Sequence, residues 1–187
     1  MTDIDTAYNY QGFTSHRRLA ATAGDLLSEF RISTKVGFFA GDRGPEHSLD
    51  PVRLRWAVHE TVQELGVQPD VVLLHNPERT LAALAPEQGR DHWAAACTAL
   101  DEIVSARWCR SWGVACWDPR PVLTVLDPLL PAQALIMVRA GLLVRAEILD
   151  GSERLATRFG LSTHGRWGRI ARYRSLLRAK ALIAEAS

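Results

Sequence analysis

The apolar run DVVLLH at positions 70–75 is the feature that most constrains the fold of this chain. Four aliphatic residues follow one another in it, so neither face of the segment is polar. A strand that is apolar on both faces is typical of a parallel sheet covered by helices on both sides. The preceding segment agrees, because Ser48, Asp50 and Pro51 predict the start of an amphipathic helix and Gly66 predicts its end.

Short strands and amphipathic helices alternate along the rest of the chain. The predicted strands are TDID (2–5), RISTKVGF (31–38), DVVLLH (70–75), SWGVACW (111–117) and QALIMV (133–138). The predicted helices span about 15–30, 51–65, 90–106, 121–126 and 147–159, with a loop rich in Gly, Asp and Pro at 41–45. Strands joined by helical crossovers indicate βαβ units, so we predict an α/β fold with five to six parallel strands.

No short repeat and no low-complexity linker divides the chain. We therefore predict a single domain over residues 1–187, a length that suffices for a substantial core. The segment RWGRIARYRSLLRAKALIAEA has the pattern of a basic amphipathic helix, which we place at about 168–186.

Composition and charge exclude several classes of function. The net charge of +1 gives no reason to expect nucleic acid or an anionic membrane as a partner. The first residues do not resemble a signal peptide, and the longest apolar stretches are too short to cross a bilayer. The three cysteines (Cys97, Cys109 and Cys116) lack the spacing of a metal site, which favours reduced thiols. We therefore predict a cytoplasmic protein without a metal site.

Four chemically active side chains fall at or near the ends of the first three predicted strands. Asp5 ends the first strand, and Tyr10 lies in the loop that follows it. Lys35 lies in the second strand, and His75 ends the third. Because the carboxyl ends of parallel strands meet at one rim, we expect these side chains to lie together. Lys35 is the hardest to explain as packing, since burying an unpaired lysine is costly.

Four segments of the chain then show a specific resemblance. DTAYNY (5–10), ISTKVG (32–37), DVVLLHNPE (70–78) and WGVACW (112–117) resemble, in order and spacing, the signature segments of the aldo-keto reductase superfamily. The resemblance covers about residues 3–138. It implies an incomplete (β/α)8 TIM-barrel-like fold, and it maps the catalytic tetrad of that family onto Asp5, Tyr10, Lys35 and His75.

Elementary chemistry supports this assignment. A tyrosine hydroxyl, with a pKa of about 10, is a poor acid or base at neutral pH. A neighbouring lysine lowers that pKa, an aspartate holds the lysine, and a histidine orients the substrate oxygen. Two alternatives stay open: Tyr8 instead of Tyr10 could be the tyrosine at the rim, although the spacing in the family favours Tyr10, and His75 could be a core histidine.

The sequence departs from the family at the positions that bind the nicotinamide cofactor. The resemblance implies a serine–asparagine pair and a glutamine that hold the nicotinamide carboxamide, whereas this chain has Ala115, Cys116 and a position near Met137. A site built to bind an amide loses binding energy for each missing partner. The segments that precede the DTA motif and the late nucleotide-binding loops also have no clear counterpart, and no other nucleotide motif occurs. We therefore predict no cofactor.

These observations favour an enzyme that uses the tetrad for cofactor-independent acid–base chemistry on a small carbonyl or hydroxyl substrate. The reaction would be a dehydration or other elimination, an isomerisation or a cyclisation, for example in natural-product biosynthesis. The first alternative is an NADPH-dependent carbonyl reductase of the aldo-keto reductase family. The second is a non-catalytic binding protein derived from a reductase.

Three further residues are candidates for substrate binding. Phe38 and Trp117 would form an apolar wall, although core packing explains them equally well. Arg139, just after the fifth predicted strand, either anchors an anionic substrate or faces solvent or a carboxylate. An open barrel leaves a sheet edge and an inner face to be covered, by the C-terminal helix or by a second chain. We therefore predict a homodimer that binds neither nucleic acid nor membrane.

Overall fold

A five-stranded parallel sheet lies at the centre of the computed structural model, which describes residues 3–126, 135–138 and 145–158. The strands in chain order are β1 (Asp3–Asp5), β2 (Arg31–Val36), β3 (Phe38–Phe39), β4 (Glu46–His47), β5 (Val71–His75), β6 (Ser111–Cys116) and β7 (Leu135–Val138). The large sheet has the order β1-β2-β5-β6-β7, and β3 and β4 form a small antiparallel hairpin. The predicted parallel α/β architecture is confirmed.

Helices connect the strands of the large sheet. They are α1 (Ser15–Ala23), α2 (Pro51–Leu65), α3 (Glu78–Leu81), α4 (Pro86–Ser105), α5 (Arg120–Val125) and α6 (Ala146–Arg158). The helix predicted over 15–30 is wrong in its second half, because the α-helix ends at Ala23 and Gly24–Glu29 form a 3-10 helix. Glycine at position 24 lowers the helix propensity at that point. The one-turn helix α3 was not predicted.

Helix α2 shows how the local sequence sets an element's limits. The Asp50 carboxylate accepts a hydrogen bond of 2.8 Å from the Arg53 amide, and Pro51 occupies the first turn, where no amide donor is needed. Gly66 ends the helix with φ of 68°, a left-handed conformation that favours glycine. The start and end predicted for this helix are confirmed.

The core lies between the large sheet and the helices. Val72, Leu73 and Leu74, from the run that opened the sequence analysis, are all inaccessible to solvent. Trp93 and Leu100 of α4 are equally buried and belong to the same core cluster as Val72 and Leu74. Full burial of such a side chain contributes about 1.5–3 kcal/mol, so this layer fixes where the strands end and thus where the rim residues lie.

Some predictions fall beyond the described part of the chain. Arg139 and the helix at about 168–186 lie outside the described residues. No helix among those described is long and apolar enough to span a membrane. The single domain over 1–187 and the homodimer stay predictions.

Candidate active site

A cavity of about 930 Å³ opens at the carboxyl ends of the parallel strands. Six of the seven predicted site residues line it: Asp5, Tyr10, Lys35, Phe38, His75 and Trp117. The seventh, Arg139, lies outside the described residues. The fold thus brings together, around one space, side chains separated by up to 112 positions in the sequence (5 to 117).

Lys35, which is buried, forms an ion pair with Asp5, whose side chain is 44% exposed where it lines this cavity. The Lys35 residue is 3% exposed, and its ammonium donates to both carboxylate oxygens of Asp5 at 2.9 Å and to the Thr6 carbonyl at 2.8 Å. Ser33 Oγ donates to the same carboxylate at 2.6 Å. All three ammonium protons therefore have acceptors, which offsets the cost of burying the charge.

The face of the Tyr10 ring contacts the Lys35 ammonium of this ion pair. Lys35 Nζ lies 5.3 Å from the ring centroid, within the range of a cation–π contact. The Tyr10 ring also stands edge-on to His75, with centroids 6.1 Å apart. No hydrogen bond joins Lys35 to the Tyr10 hydroxyl, because Asp5 and Thr6 accept all the lysine protons. The residue is 41% exposed, and its hydroxyl has no partner among the described residues.

Tyr8, the other candidate tyrosine, has a different environment. Its hydroxyl donates to the Glu60 carboxylate, and its ring contacts Phe13 and Trp56. These residues line a second pocket, separate from the one that contains Lys35. Burial and Glu60 raise the pKa of the Tyr8 hydroxyl well above its usual range. Of the two tyrosines, Tyr10 is the one that lines the cavity.

His75 is held neutral at the end of β5. Burial, followed by the positive charge of Lys35, lowers the pKa of its imidazole to about 4. Its Nδ1 atom is buried without a partner among the described residues. We assign the proton to Nε2, because a proton on Nδ1 would be a buried donor with no acceptor. His75 therefore offers one N–H donor to an oxygen in the cavity.

The β3–β4 hairpin fastens Phe38 against His75. His47 Nε2 donates to the His75 carbonyl at 2.7 Å, and its Nδ1 accepts from Thr80 Oγ1 at 2.7 Å. The Phe38 ring packs edge-on against both imidazoles, with centroids 4.9 Å from His47 and 5.0 Å from His75. Gly37, with φ of 133°, permits the close approach, since a Cβ there would lie 3.1 Å from His47 Nε2.

The opposite wall of the cavity comes from β6 and β7. Ala115 pairs in register with His75 on one side and with Met137 on the other, and Cys116 follows it. All of these residues line the cavity. At the three positions that the resemblance assigns to the carboxamide, the side chains are thus a methyl, a thiol and a thioether. The Ala115 carbonyl already accepts the Asn76 amide at 2.6 Å.

Glu78 holds the loop after β6 in place. Its Oε1 accepts the backbone amides of Trp117 at 2.8 Å and Asp118 at 3.3 Å. The side chain is buried, which raises the pKa of its carboxyl. Trp117 is 56% exposed where it lines the cavity, so this backbone anchoring helps to keep an exposed ring at the rim. Glu78 was not among the predicted site residues.

Three more polar residues of the cavity were missed: Asn9, Asn76 and Arg79. Asn76 and Arg79 come directly after His75, within the segment HNPER. The predicted residues came from strand ends and from the loop after the first strand, but none came from the loop after His75. Reading four residues further would have found both, because functional groups also occur in the loops after parallel strands.

The residues that the structure describes include no cluster of metal-ligating side chains. None of their His, Cys, Asp and Glu side chains form a group of three or more able to hold a metal ion. Cys97, Cys109 and Cys116 are buried free thiols. Burial raises the pKa of all three, so they are neutral and unreactive at pH 7.

Known structures with the same fold are numerous. An aldo-keto reductase from Bacillus halodurans, in its holo form, matches with a TM-score of 0.67 and 18% identity over 87% of this chain and 51% of its own. A proposed aldo-keto reductase from Pseudomonas aeruginosa gives 0.63 and 19% over 84% and 57%. A glycerol dehydrogenase from Gluconobacter oxydans gives 0.61 and 20% over 82% and 46%. The chain spans about half the length of these structures.

These matches confirm the predicted (β/α)8-type fold, of which the five described strands form a part. A comparison with curated proteins gives no match. The model of the aldo/keto reductase family matches residues 1–134. This match covers most of the chain, including the four positions predicted as a tetrad, so the chain belongs to the aldo/keto reductase family.

Proposed function

We propose that this protein is an enzyme that performs acid–base chemistry on a small carbonyl or hydroxyl substrate without a nicotinamide cofactor. The observation that carries the proposal is a contrast within one cavity. Asp5 and Lys35 form a hydrogen-bonded ion pair beside Tyr10 and His75, whereas the wall expected to hold a carboxamide offers Ala115, Cys116 and Met137. Members of this family are usually oxidoreductases, so the proposal concerns the kind of reaction.

The residues present do not fit a nicotinamide carboxamide at the expected place. An amide has two donors and an acceptor that need partners when water is excluded. Ala115 and Met137 have no polar hydrogen, and the Cys116 thiol is a weak donor. Each missing hydrogen bond to a buried amide costs about 1–3 kcal/mol. Together they disfavour a bound nicotinamide by several orders of magnitude in affinity.

The remaining groups suit proton transfer next to a carbonyl. His75 Nε2–H donates to the substrate oxygen and polarises the carbonyl. Tyr10 gives its hydroxyl proton to the same oxygen, while the proton on the adjacent carbon leaves to solvent water. The product is the enol, and Tyr10 regains a proton from water. Positioned acid–base groups of this kind contribute about 10²–10⁴-fold in rate.

Lys35 and Asp5 support this step electrostatically. The tyrosinate that forms when Tyr10 loses its proton lies beside the Lys35 ammonium, which Asp5 holds in place through two hydrogen bonds. The same set of donors can also protonate a leaving hydroxyl in an elimination. Isomerisation, elimination and cyclisation therefore remain alternatives for the natural reaction.

One observation favours a second candidate, an NADPH-dependent carbonyl reductase. The side-chain amides of Asn9 and Asn76 line the cavity and could provide other hydrogen-bond partners for a carboxamide. This candidate predicts consumption of NADPH in the presence of a ketone, whereas the acid–base enzyme predicts none.

Deuterium exchange at the carbon next to a carbonyl tests the proposal. The purified protein is incubated in D₂O with phenylacetone or phenylpyruvate, without nucleotide, and the loss of the proton signal is followed by NMR. We expect exchange above the rate of a heat-denatured control. Reduction to the alcohol only after NADPH is added would support the reductase, and the absence of both exchange and reduction would support a non-catalytic binding protein.

A further inference from the structure

We propose that Arg79 binds a carboxylate of the substrate, so that the substrate class of this cavity is a small carbonyl compound bearing a carboxylate, such as a 2-oxo or 3-oxo acid. This inference rests on the function proposed above. It assigns a specificity-determining role to a residue outside the tetrad.

Arg79 is the one cation of the described cavity wall that no anion neutralises. The other, Lys35, is paired with Asp5 at 2.9 Å. Among the described residues, no carboxylate or carbonyl accepts a hydrogen bond from the Arg79 guanidinium. A guanidinium is weakly hydrated and presents two parallel N–H groups that match a carboxylate. The wall therefore has one unused site for an anion.

Arg79 is an exposed residue at the edge of the cavity, and its guanidinium contacts one aromatic ring. Its carbon lies 5.4 Å from the centroid of the Phe38 ring, which the imidazoles of His47 and His75 hold in turn. The Arg79 amide donates to the Asn76 carbonyl at 3.0 Å, in the turn that leads from β5 into α3. The backbone of Arg79 is thus held in the turn, and the contact with Phe38 restricts the side chain in part, which lowers the entropy cost of binding a ligand.

The positive charge of Arg79 acts on His75, one of the proposed reacting groups. Burial and Lys35 are the main causes that lower the pKa of His75, and the positive charge of Arg79 is a smaller one. Arg79 also lowers the pKa of His47. Among the described residues, the ionisable groups that line the cavity are Asp5, Tyr10, Lys35, His75, Arg79 and the neutral Cys116. Their formal charges sum to +1 at pH 7, so a singly charged anion would neutralise the cavity.

The residues that line the cavity indicate which kind of group carries the carboxylate in the substrate. Phe38 lies between Arg79 and His75, and Trp117 lines the same cavity. An apolar or aryl group can pack on these rings while the carbonyl meets His75 and the carboxylate meets Arg79. The predicted role of Arg139 lies outside the described residues and is independent of this argument.

Equilibrium binding of two unreactive probes tests the inference. Calorimetry compares 3-phenylpropanoate with the uncharged 3-phenylpropanamide, which has nearly the same shape. We expect the wild-type protein to bind the carboxylate at least tenfold more tightly. Arg79→Gln should remove this preference with little effect on the amide, and Arg79→Lys should restore part of it. Arg43→Gln, at an exposed arginine that does not line the cavity, is the matched control.

Equal affinity of wild type for both probes would overturn the inference, as would an unchanged preference in a folded Arg79→Gln variant. Urea unfolding midpoints establish that each variant folds. The outcome is separable from the proposed function, because probe binding and deuterium exchange are measured in separate assays. If the protein exchanges deuterium into phenylacetone but shows no preference for the carboxylate probe, only the role of Arg79 is contradicted. Carboxylate preference without any exchange contradicts only the proposed chemistry.

Discussion

Replacing Tyr10 with phenylalanine is expected to lower the rate of nucleotide-free deuterium exchange by about 10²–10⁴-fold. The substitution removes the hydroxyl that, in the proposed reaction, gives its proton to the substrate oxygen, and it retains the ring that contacts Lys35 and His75. The NMR assay in D₂O measures the loss directly. Because the residue is 41% exposed and its hydroxyl has no partner among the described residues, stability should change little.

Tyr8→Phe is the matched control for this experiment. It removes the same hydroxyl two residues earlier, from a pocket that does not contain Lys35 or His75. We expect its exchange rate to stay within a few-fold of wild type. A Tyr10→Phe variant with full exchange activity, or an equal loss in both variants, would contradict the assignment of Tyr10.

The unfolding free energy is expected to fall on acidification between about pH 6.5 and pH 4. Burial lowers the pKa of both His16 and His75 to about 4, whereas an unfolded histidine titrates near 6.5. Between these values the unfolded chain binds more protons than the native one, so stability is fully present above pH 6.5 and is lost as the pH falls. Each histidine contributes up to about 3 kcal/mol, since one pKa unit corresponds to about 1.4 kcal/mol.

Urea unfolding at several pH values measures this dependence. His16→Gln can keep the hydrogen bond of 2.8 Å to Thr34 Oγ1 and removes one of the buried titrating histidines, so it should make the curve less steep. His59→Gln, at an exposed histidine, should leave the slope unchanged. A His16→Gln curve as steep as that of wild type would show that His16 does not titrate in this range.

The sequence predicted those features that depend on local patterns. The run DVVLLH becomes the buried strand β5, and Asp50 and Gly66 limit α2, because apolar runs, caps and helix stops are local properties. Asp5, Lys35 and His75 were predicted to meet because the ends of parallel strands share a rim. The cavity that they line with Tyr10 agrees with this expectation, while their catalytic roles stay predictions.

Features that depend on the path of the backbone after a strand could not be predicted. Asn76 adopts a positive φ of 52°, and the turn that follows brings Arg79 over Phe38. Phe38 itself is placed by a hairpin whose anchor, His47, is distant from His75 in sequence. The contact of Lys35 with the face of the Tyr10 ring, instead of its hydroxyl, likewise follows from which acceptors lie nearest in three dimensions.

Calorimetric titration with NADPH tests most directly whether this site operates without a nicotinamide cofactor. The side chains of Ala115, Cys116 and Met137 offer no good partner for a carboxamide, so we predict no saturable heat of binding up to millimolar NADPH. A reductase that binds NADPH is titrated in parallel as a positive control, which shows that the nucleotide solution gives a measurable heat of binding. One-to-one binding with micromolar affinity, accompanied by reduction of a ketone, would contradict the account.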